Sequence, residues 1–452
     1  MTSAAQVASE QAIGVDGIDS AHGVVVVGAG HAGFQCVDSL RRNGYQGQIT
    51  LVNAEPDLPY QRPPLSKGHL LSPAGEEALW FRAANWFDDQ QIQLLNSTRA
   101  TAIDTERRQV ELSTGETLVY RWLVLAPGAT LRKLDCAGAD LDGIGYVKSL
   151  TDIRQLQNQL PNSEQVVVVG SSFIALEFAA TARKLGKKVT VLVRSQRLMN
   201  NAVDQELAEY MLDQHQQQGV VFRFGVVPTA IIGTEGSVSA VELSDGDQIP
   251  ADLLVAGIGV VMDTSLAQAA GLECGQPERQ QPEGILVNSH CETSQPDVFA
   301  AGDLVVAPTC WSAAAGSAEP LMRLESVQNA VDQAKLIAEI IARASQTTSE
   351  SAGEAMAKPE YRNLPWFWSD QYDIKLQMAG LFEGYDQCVL RGEMASGKFS
   401  RCYLKQGKLI AVHSVNKPAD HMQARKLIEA GACPSLQDLA DESRKLKSLI
   451  PS

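Results

Sequence analysis

The sequence predicts an α/β protein with two Rossmann-like nucleotide-binding domains and a C-terminal α+β domain. Two valine runs, at 24–27 and 166–169, each lead into a glycine-containing turn and then a helix-like segment. A buried parallel strand followed by such a turn and a helix is the unit that binds a dinucleotide. A polar linker at 344–358 precedes an aromatic, strand-rich segment at 359–452, which predicts the third domain.

The first glycine turn has the complete fingerprint Gly28-x-Gly30-x-x-Gly33, which follows a strand and opens a helix near 34–42. In that context the turn amides and the helix N-terminus face the pyrophosphate of a dinucleotide. A glycine turn without a ligand is the alternative. We therefore predict a nucleotide site after the first strand.

The second strand, at 48–52, should be followed by an acidic residue that binds a ribose hydroxyl. Asn53 and Ala54 come first, so Glu55 is the predicted substitute. The next segment, 59–67, contains three prolines, which predicts a rigid loop rather than a helix or strand.

Further strands are predicted in the first domain. After a second nucleotide-binding unit, the chain returns to the first domain through 297–303, so the second domain is inserted within the first. Those strands are predicted at 99–103, 109–112 and 123–126, with a hairpin turn at 114–116. The predicted boundaries are a flexible tail at 1–22, a discontinuous first domain at 23–130 and 265–343, and a second domain at 131–264.

The second glycine turn is altered. Gly170 keeps the first position, but Ser172 and Ala175 stand where glycines would let the backbone approach a pyrophosphate. Because serine and alanine are the smallest replacements, we expect this site to be strained or shifted rather than closed. A second Rossmann unit with only a structural role is the alternative.

Arg194 and Arg197 follow the strand at 188–193, where a carboxylate would bind the ribose of NADH. An arginine suits a 2′-phosphate instead, since a guanidinium pairs with phosphate oxygens. The sequence thus predicts a preference for NADPH, with NADH as the alternative. Two arginines that only cover the surface are the other interpretation.

The composition disfavours several classes of function. The chain has 452 residues, a net charge of −15 and a hydrophobic content of 44%, which is ordinary for a globular protein. The acidic balance disfavours nucleic acid as a partner, and no apolar stretch reaches the roughly 20 residues of a membrane span. The segment 1–22 has no lysine or arginine and no hydrophobic block, so we expect a cytoplasmic protein. The eight cysteines are scattered, which predicts neither a metal site nor a C-x-x-C redox pair.

Three longer motifs occur in the remaining sequence: LPYQRPPLSK at 58–67, RLESVQNA at 323–330 and PWFWSDQ at 365–371. Together they resemble the motifs of FAD-dependent ferredoxin reductases of the putidaredoxin-reductase and aromatic-dioxygenase-reductase type. The resemblance covers nearly everything from Gly23 onward. It implies a glutathione-reductase-like fold, with FAD in the first domain and NAD(P)H in the second.

The resemblance implies roles for Lys67 and Glu177. The lysine would lie beside the flavin, and the glutamate would neutralise it and contact the nicotinamide, because an unpaired buried charge is costly. The pair would position the hydride donor and acceptor without acting as acid or base. FAD would also contact Asp303 through its ribityl chain and Val327 near its ring system.

Two further positions depart from the family pattern. Lys148 replaces an arginine that binds phosphate, which keeps the charge but loses the bidentate fork. Pro127 removes a backbone donor next to the expected flavin site. The other predicted cofactor-binding residues are His31, Ala32, Arg62, Ala100, Ala126, Gly128, Arg132, Phe173, Ile174, Gly259, Gly302, Glu325, Ser326 and Trp368.

Two features near the expected flavin have alternative interpretations. Trp368 would lie near the flavin where an iron–sulfur partner docks, or it is a core aromatic. The segment 305–322 is longer than the family leads us to expect. It either alters access to the flavin or forms a loose surface loop.

The predicted function is electron transfer from NAD(P)H through FAD to a two-iron ferredoxin that serves a monooxygenase or a ring-hydroxylating oxygenase. Arg323, Lys375 and Lys417 are candidates for docking the ferredoxin, since basic residues attract an acidic partner. Two alternatives stay open: an oxidoreductase that acts directly on a small metabolite, and a redox-sensing flavoprotein resembling apoptosis-inducing factor. We expect a monomer or a weak homodimer.

Overall fold

The computed structural model describes residues 22–71, 75–312, 320–346 and 357–451. In this part of the chain the α-helices, α1 to α10 in order, are His31–Arg42, Gly68–Leu71, Ala84–Asp89, Leu150–Gln159, Phe173–Lys184, Gln205–Gln217, Ser265–Ala269, Val327–Gln346, Pro418–Glu429 and Leu436–Ala440. Short 3-10 helices lie at Pro63–Ser66, Glu76–Ala78, Leu160–Asn162, Pro277–Arg279, Met394–Ser396 and Leu446–Leu449.

The first two thirds of the chain contain two parallel sheets and smaller antiparallel ones, and the last part forms an antiparallel sheet. In chain order, β1 to β27 are Val24–Val27, Ile49–Val52, Ile92–Leu95, Ala100–Asp104, Gln109–Leu112, Thr117–Val119, Trp122–Leu125, Thr130–Leu131, Ile144–Tyr146, Gln165–Val169, Lys188–Val193, Val221–Phe224, Pro228–Thr234, Ser237–Leu243, Gln248–Pro250, Leu253–Ala256, Val260–Val261, Cys274–Gly275, Gly284–Leu286, Val298–Ala300, Val305–Pro308, Leu321–Arg323, Trp366–Gln371, Ile374–Gly380, Gln387–Glu393, Lys398–Lys405 and Lys408–Val415.

Two parallel sheets share one strand arrangement. The first parallel sheet has the order β20-β7-β1-β2-β3, and the second has β9-β16-β10-β11-β12. Their central valine strands, β1 and β10, are buried on both faces apart from Gln165, which is why they read as continuous apolar runs. β20 adds to the edge of the first parallel sheet beside β7, after the whole second sheet has been formed. Both glycine turns therefore follow equivalent central strands, at the carboxyl edge where such sheets bind ligands.

Each parallel sheet is accompanied by a small antiparallel one: β4-β5-β6 follows the first, and β13-β14-β15 follows the second. A four-stranded sheet, β18-β19-β21-β22, lies in the segment that returns to the first parallel sheet. The long helix α8 packs beside α1 and buries Ile337 and Ile341 in the core there.

The C-terminal sheet is antiparallel, with the order β23-β24-β27-β26-β25. Helix α9 packs on it, and Leu404, Val412 and Leu427 are buried between them. Strand β23, at one edge of this sheet, also contacts α5 and α8. It therefore joins the C-terminal sheet to both nucleotide-binding units.

Some predicted elements differ from the observed ones. The segment 59–67 is not a loop throughout, because Pro63–Ser66 forms a 3-10 helix; proline is tolerated at the first turn, where its missing N–H has no helical partner. The first helix begins at His31 rather than near 34, directly after the N-cap Gly30. The linker predicted from 344 is helical as far as Gln346, and 347–356 lies outside the described residues.

The segment 305–322 is not a loose loop at its ends. Val305–Pro308 and Leu321–Arg323 pair as antiparallel strands, while 313–319 lies outside the described residues. The predicted tail at 1–22 is described only at His22. Among the described helices, none has both the length and the apolar character needed to cross a bilayer.

Candidate active site

The turn after β1 has the backbone that its glycines predict. Gly28 has a φ of +102°, and a Cβ there would lie 2.1 Å from the carbonyl oxygen of Ala126. A Cβ on Gly33 would lie 1.8 Å from the Gly28 oxygen, so α1 can only approach β1 this closely with glycine at that position. Gly30 is different, since a Cβ there would meet nothing within 4 Å.

Helix α1 has no side chain that caps its N-terminus, and its first turn carries no acidic residue. The first amides of a helix have no partner within the helix, so they are available to an anion. The open space at Gly30 and these uncapped amides fit the pyrophosphate of FAD.

A cleft of about 520 Å³ opens beside the start of α1. It brings together four of the predicted cofactor-binding residues, namely His31, Lys67, Val327 and Trp368. The rest of its lining consists of Gln61, Pro63, Pro64, Gly68, Phe81 and Asp370. Burial, and secondarily Arg62, lowers the pKa of His31 to about 4, so its ring is neutral at pH 7.

Lys67 and Glu177 form an ion pair at this cleft. The Lys67 Nζ donates to Glu177 Oε2 over 2.7 Å, and the glutamate side chain is only 3% exposed. Ser66 donates to the same oxygen over 2.6 Å, and Ser369 donates to Oε1 over 2.7 Å. The carboxylate on α5 is therefore held by donors from the proline-rich segment and from β23.

Arg62 and Glu55 are engaged with each other rather than left free. The Arg62 guanidinium donates to Glu55 Oε1 over 2.5 Å, and the Tyr60 hydroxyl donates to Oε2 over 2.5 Å. A second Arg62 nitrogen donates to the carbonyl oxygen of Lys148 over 2.8 Å. Both Glu55 oxygens thus accept hydrogen bonds within the protein, which sequence reasoning did not foresee.

Lys148 lies near this group. Its ammonium donates to the carbonyl oxygen of Ala129, and burial together with the charge of Arg62 lowers the pKa of Lys148. Glu55 already offsets the charge of Arg62, so Lys148 is the cation of this group that a cofactor phosphate would neutralise.

Asp303 has no hydrogen bond in the described part of the chain, although it is half-buried. Burial, and then the negative charge of Glu325, raises the pKa of Asp303 to about 6, against the opposing charges of Lys148, Arg62 and Arg323. The preceding Gly302 has a φ of +92° and donates its amide to Gln333 Oε1 over 2.8 Å. A carboxylate without donors fits the ribityl hydroxyls of FAD, because hydroxyl groups can supply the missing hydrogen bonds.

The altered turn after β10 differs from the first turn in two respects. Ser172 is the N-cap of α5, and its hydroxyl accepts from the Ala175 amide over 3.5 Å, at the position that Gly30 holds in α1. Ala175 faces Gly257, where a Cβ would stand 2.8 Å from the alanine Cβ. A glycine on the facing strand end thus makes room for the alanine on the helix. Ile174, in the first turn, is 47% exposed.

The two arginines after β11 differ in their surroundings. Arg197 donates to the carbonyl oxygens of Asn200 and Val203 and is held by that turn. Arg194 is exposed and has no hydrogen bond or ion pair to any described residue. Of the two, Arg194 is the one available to a ligand.

The other predicted residues occupy varied positions. Ser326 accepts from the Asn329 amide at the start of α8, and Glu325 is paired with Arg323. Phe173 packs against Phe367 of β23 with ring centroids 4.9 Å apart. The buried ones are Ala32, Ala100 and Ala126; Gly128, Gly170 and Gly259 have positive φ, and Arg132 is exposed.

The predicted docking residues are not equivalent. Arg323 is paired with Glu325, and Lys417 is paired with Glu442 and Asp420. Lys375 is exposed on β24, directly opposite Asp370 of β23, and its ammonium has no partner among the described residues. All eight cysteines are free, and no cluster suited to a metal ion occurs in the described ranges.

Sequence reasoning missed four residues that support the ion pair: Ser66, Ser369, Gln371 and His215. Their signal is weak, because they lie far from Glu177 in sequence and are ordinary polar residues. Only the two-residue spacing of Ser369 and Gln371 on a predicted strand points to a shared face.

Comparisons with known proteins agree with this geometry. The family model described as pyridine nucleotide-disulphide oxidoreductase matches residues 22–334, and the model described as reductase C-terminal matches 366–450. A ferredoxin–NAD(P)+ reductase from a Sphingomonas species is 38% identical over 92% of this chain and 94% of its own length. Putidaredoxin reductase from Pseudomonas putida is 37% identical over 94% of this chain and 96% of its own length.

Solved structures show the same likeness. The covalent complex of putidaredoxin reductase with putidaredoxin matches with a TM-score of 0.86 at 35% identity, over 95% of this chain and 98% of that chain. A ferredoxin reductase for the CYP199A2 system from Rhodopseudomonas palustris also matches with a TM-score of 0.86, at 40% identity, over 95% of this chain and all of that chain. The predicted fold class and the predicted cofactors, FAD and NAD(P)H, are confirmed. This chain belongs to the pyridine nucleotide-disulphide oxidoreductase family, as a flavoprotein reductase of the putidaredoxin-reductase type.

Proposed function

We propose that this protein takes electrons from a nicotinamide nucleotide and passes them through FAD to a two-iron ferredoxin that serves a monooxygenase or a ring-hydroxylating oxygenase. The observation that carries this proposal is the Lys67–Glu177 ion pair, which joins the two nucleotide-binding units beside a cleft lined by residues of the first unit and of β23. The named relatives act as reductases for ferredoxins, and one was solved in covalent complex with its redoxin.

FAD would be held by the open turn at Gly30, by Lys148 and Arg62 near the phosphates, and by Asp303 at the ribityl chain. When bound, FAD accepts two electrons as a hydride and can release them one at a time. Lys67 would place its charge beside the flavin, and the buried carboxylate of Glu177 offsets that charge. Trp368 and Val327 would exclude solvent from the same cleft.

The nicotinamide nucleotide would bind at the turn after β10, with its ribose end near Arg194. Arg194 supports a preference for NADPH, because it is exposed and lacks an internal partner. Glu177, held by Lys67, Ser66 and Ser369, would orient the nicotinamide toward the flavin. The nicotinamide would supply the hydride, that is, both electrons and one hydrogen, and FAD would accept it.

The ferredoxin would dock on the C-terminal sheet near the cleft. Trp368 lies in the cleft lining, and Lys375 is on the neighbouring strand with a free charge. Lys417 and Arg323 contribute less in this proposal, because their charges are already paired. The cytoplasmic location and the monomeric or weakly dimeric state stay predictions from the sequence.

Anaerobic mixing of the FAD-loaded protein with NADPH or NADH tests this proposal, with the flavin absorbance followed in time and purified putidaredoxin then added. We expect flavin reduction by the nicotinamide and onward reduction of the redoxin. The Glu177→Gln variant should slow flavin reduction by about tenfold or more, since it leaves Lys67 without a charged partner.

Two other results would overturn it in favour of the alternatives. Turnover of a small molecule without any redoxin would indicate direct metabolite oxidoreduction. Very slow reduction by both nicotinamides, with a long-lived charge-transfer complex, would indicate a redox sensor.

A further inference from the structure

The two faces of strand β23 contact different parts of the molecule. Trp368 and Asp370 line the cleft, whereas Ser369 and Gln371 point to the other side, as alternation along a strand requires. On that other side, Ser369 meets Glu177 of α5 and Gln371 meets His215 of α6. One edge strand therefore touches the cleft, the helix that carries Glu177 and the helix that carries His215.

The polar groups behind the ion pair form a continuous chain of hydrogen bonds. From the far end, Tyr372 is 3.2 Å from His215 Nδ1, His215 Nε2 is 2.8 Å from Gln371 Oε1, and Gln371 Nε2 is 3.0 Å from Ser369 Oγ. The Ser369 hydroxyl then contacts Glu177 Oε1 over 2.7 Å. Of the residues in this hydrogen-bonded series, all but Tyr372 are buried.

The chemistry of these groups fixes which partner donates in each hydrogen bond of the series. Burial lowers the pKa of His215 to about 4, so the ring is neutral at pH 7 and has one N–H. That N–H lies on Nε2, because the amide oxygen of Gln371 can only accept; Nδ1 then accepts from the Tyr372 hydroxyl. The Gln371 amide donates to Ser369, which leaves the serine hydrogen for the Glu177 carboxylate. Each donor points toward Glu177.

We propose that Ser369, Gln371 and His215 are positioning residues that hold the Glu177 carboxylate, and through it Lys67, in the arrangement needed for hydride transfer. This inference rests on the proposed role of Lys67 and Glu177 in flavin reduction. Glu177 Oε2 receives Lys67 and Ser66, whereas Ser369 is the donor to Oε1 among the described residues. Loss of the serine hydroxyl leaves a buried carboxylate oxygen without a donor, so the carboxylate rotates to find one.

The test uses the FAD-loaded full chain with Ser369→Ala, and with the pair Ser369→Thr and Ser369→Val. Threonine and valine have the same shape and differ only in the hydroxyl, so this pair controls for misfolding caused by the extra methyl group. The matched control is Ser400→Ala, a buried serine of the same sheet that bonds to Ser414 over 2.9 Å and does not contact the ion pair.

Three quantities are measured: the limiting rate of flavin reduction, the dissociation constant of NADP+ on the oxidised protein, and the crystal structure. We expect Ser369→Ala and Ser369→Val to lower the rate by about tenfold, with the dissociation constant changed less than about threefold. Ser369→Thr and Ser400→Ala should stay near the parent rate. In the Ser369→Ala crystal structure, the Lys67–Glu177 contact should lengthen beyond about 4 Å.

An unchanged rate and ion-pair distance in folded, FAD-loaded Ser369→Ala would overturn the inference, as would equal rates for the threonine and valine variants. The Glu177→Gln variant separates this outcome from failure of the proposed function. If Glu177→Gln slows flavin reduction and Ser369→Ala does not, only the positioning role is wrong. If neither variant slows it, the proposed role of the ion pair is wrong as well.

Discussion

Ala175 on α5 lies against Gly257, the residue that follows β16, and a Cβ on that glycine would stand 2.8 Å from the alanine Cβ. In the first unit the close approach instead depends on a glycine in the helix, since a Cβ on Gly33 would meet the Gly28 oxygen at 1.8 Å. The two units therefore place a required glycine differently: on the helix in the first unit, and on the segment that faces the helix in the second. Gly257 leaves the space that the Ala175 side chain occupies beside β16.

We expect Gly257→Ala to push the start of α5 away from β16. The two Cβ atoms cannot both fit at this separation, so the free energy of unfolding should fall by about 1–3 kcal/mol, as for other overpacked sites. Nicotinamide binding should also weaken, because the N-terminus of α5 is the expected phosphate site. Urea unfolding and titration of the oxidised protein with NADP+ measure the two effects.

The double variant Gly257→Ala/Ala175→Gly is the control, since it restores a glycine on the helix and removes the clash. It should recover most of the lost stability, which would appear as strong coupling between the two substitutions. Strictly additive effects of the two substitutions would contradict the packing argument.

Local sequence patterns predicted the parts of the fold that local chemistry determines. The valine runs and the glycines at 28, 30 and 33 specify strand, turn and helix within a dozen residues, and the structure has them in that order. The structure at Pro63 and Pro64 is harder to predict, because prolines indicate a loop as readily as the first turn of a 3-10 helix.

The supports of the ion pair could not be predicted in this way. Ser369 and Glu177 are 192 residues apart, and His215 and Gln371 are 156 apart, so only the tertiary fold brings them together. A pattern in one stretch of chain carries no information about a partner that arrives from another. Glu55 is a different case: its position after β2 predicts a ribose ligand, and its partners Tyr60 and Arg62 follow only five and seven residues later. The residue types there do not show that both Glu55 oxygens are occupied.

Arg194→Ala should reduce the preference for NADPH. Loss of a guanidinium from the 2′-phosphate removes about 1.5–3 kcal/mol, so the dissociation constant of NADPH should rise by about tenfold or more while that of NADH changes little. Stopped-flow flavin reduction with each nucleotide measures both. The control Arg107→Ala removes an exposed arginine that pairs with Asp104, in the small sheet of the first unit. A parallel loss for both nucleotides in Arg194→Ala would contradict a role in specificity.

Ferredoxin reduction should depend on salt and on Lys375. Exposed charges separated by more than about 8 Å are screened at 0.15 M salt, so electrostatic docking slows as salt is added. Flavin reduction by the nicotinamide should change less over the same range. Lys375→Glu should slow putidaredoxin reduction by about tenfold at low salt, because it reverses a free charge near the docking surface.

The control for Lys375 is Lys188→Glu. Lys188 is exposed at the start of β11 and pairs with Glu164. It lies at the amino ends of the parallel strands, opposite the end that carries the glycine turn. It should leave the salt dependence of redoxin reduction unchanged. If neither added salt nor the Lys375→Glu substitution changes the rate of redoxin reduction, the docking surface is apolar instead.

Asp303 should make the FAD-free protein less stable as pH rises. Its pKa is raised from 3.8 to about 6, chiefly by burial and then by Glu325. Between pH 4 and 6 the folded state therefore binds more protons than the unfolded state, and stability falls as the carboxyl ionises. At pH 7 the ionised, donor-free carboxylate should lower the free energy of unfolding by about 3 kcal/mol.

Asp303→Asn removes that ionisation and should stabilise the FAD-free protein at pH 7, while the two proteins should become similar near pH 4. Urea unfolding of both proteins at pH 4, 5, 6 and 7 measures the difference, and the pH 4 comparison serves as the internal control. The same substitution should weaken FAD retention at pH 7, because a neutral amide accepts hydroxyl hydrogen bonds less strongly than a carboxylate does. A stability difference that is constant across this pH range would show that Asp303 does not titrate there, and that its raised pKa is not what sets the pH dependence.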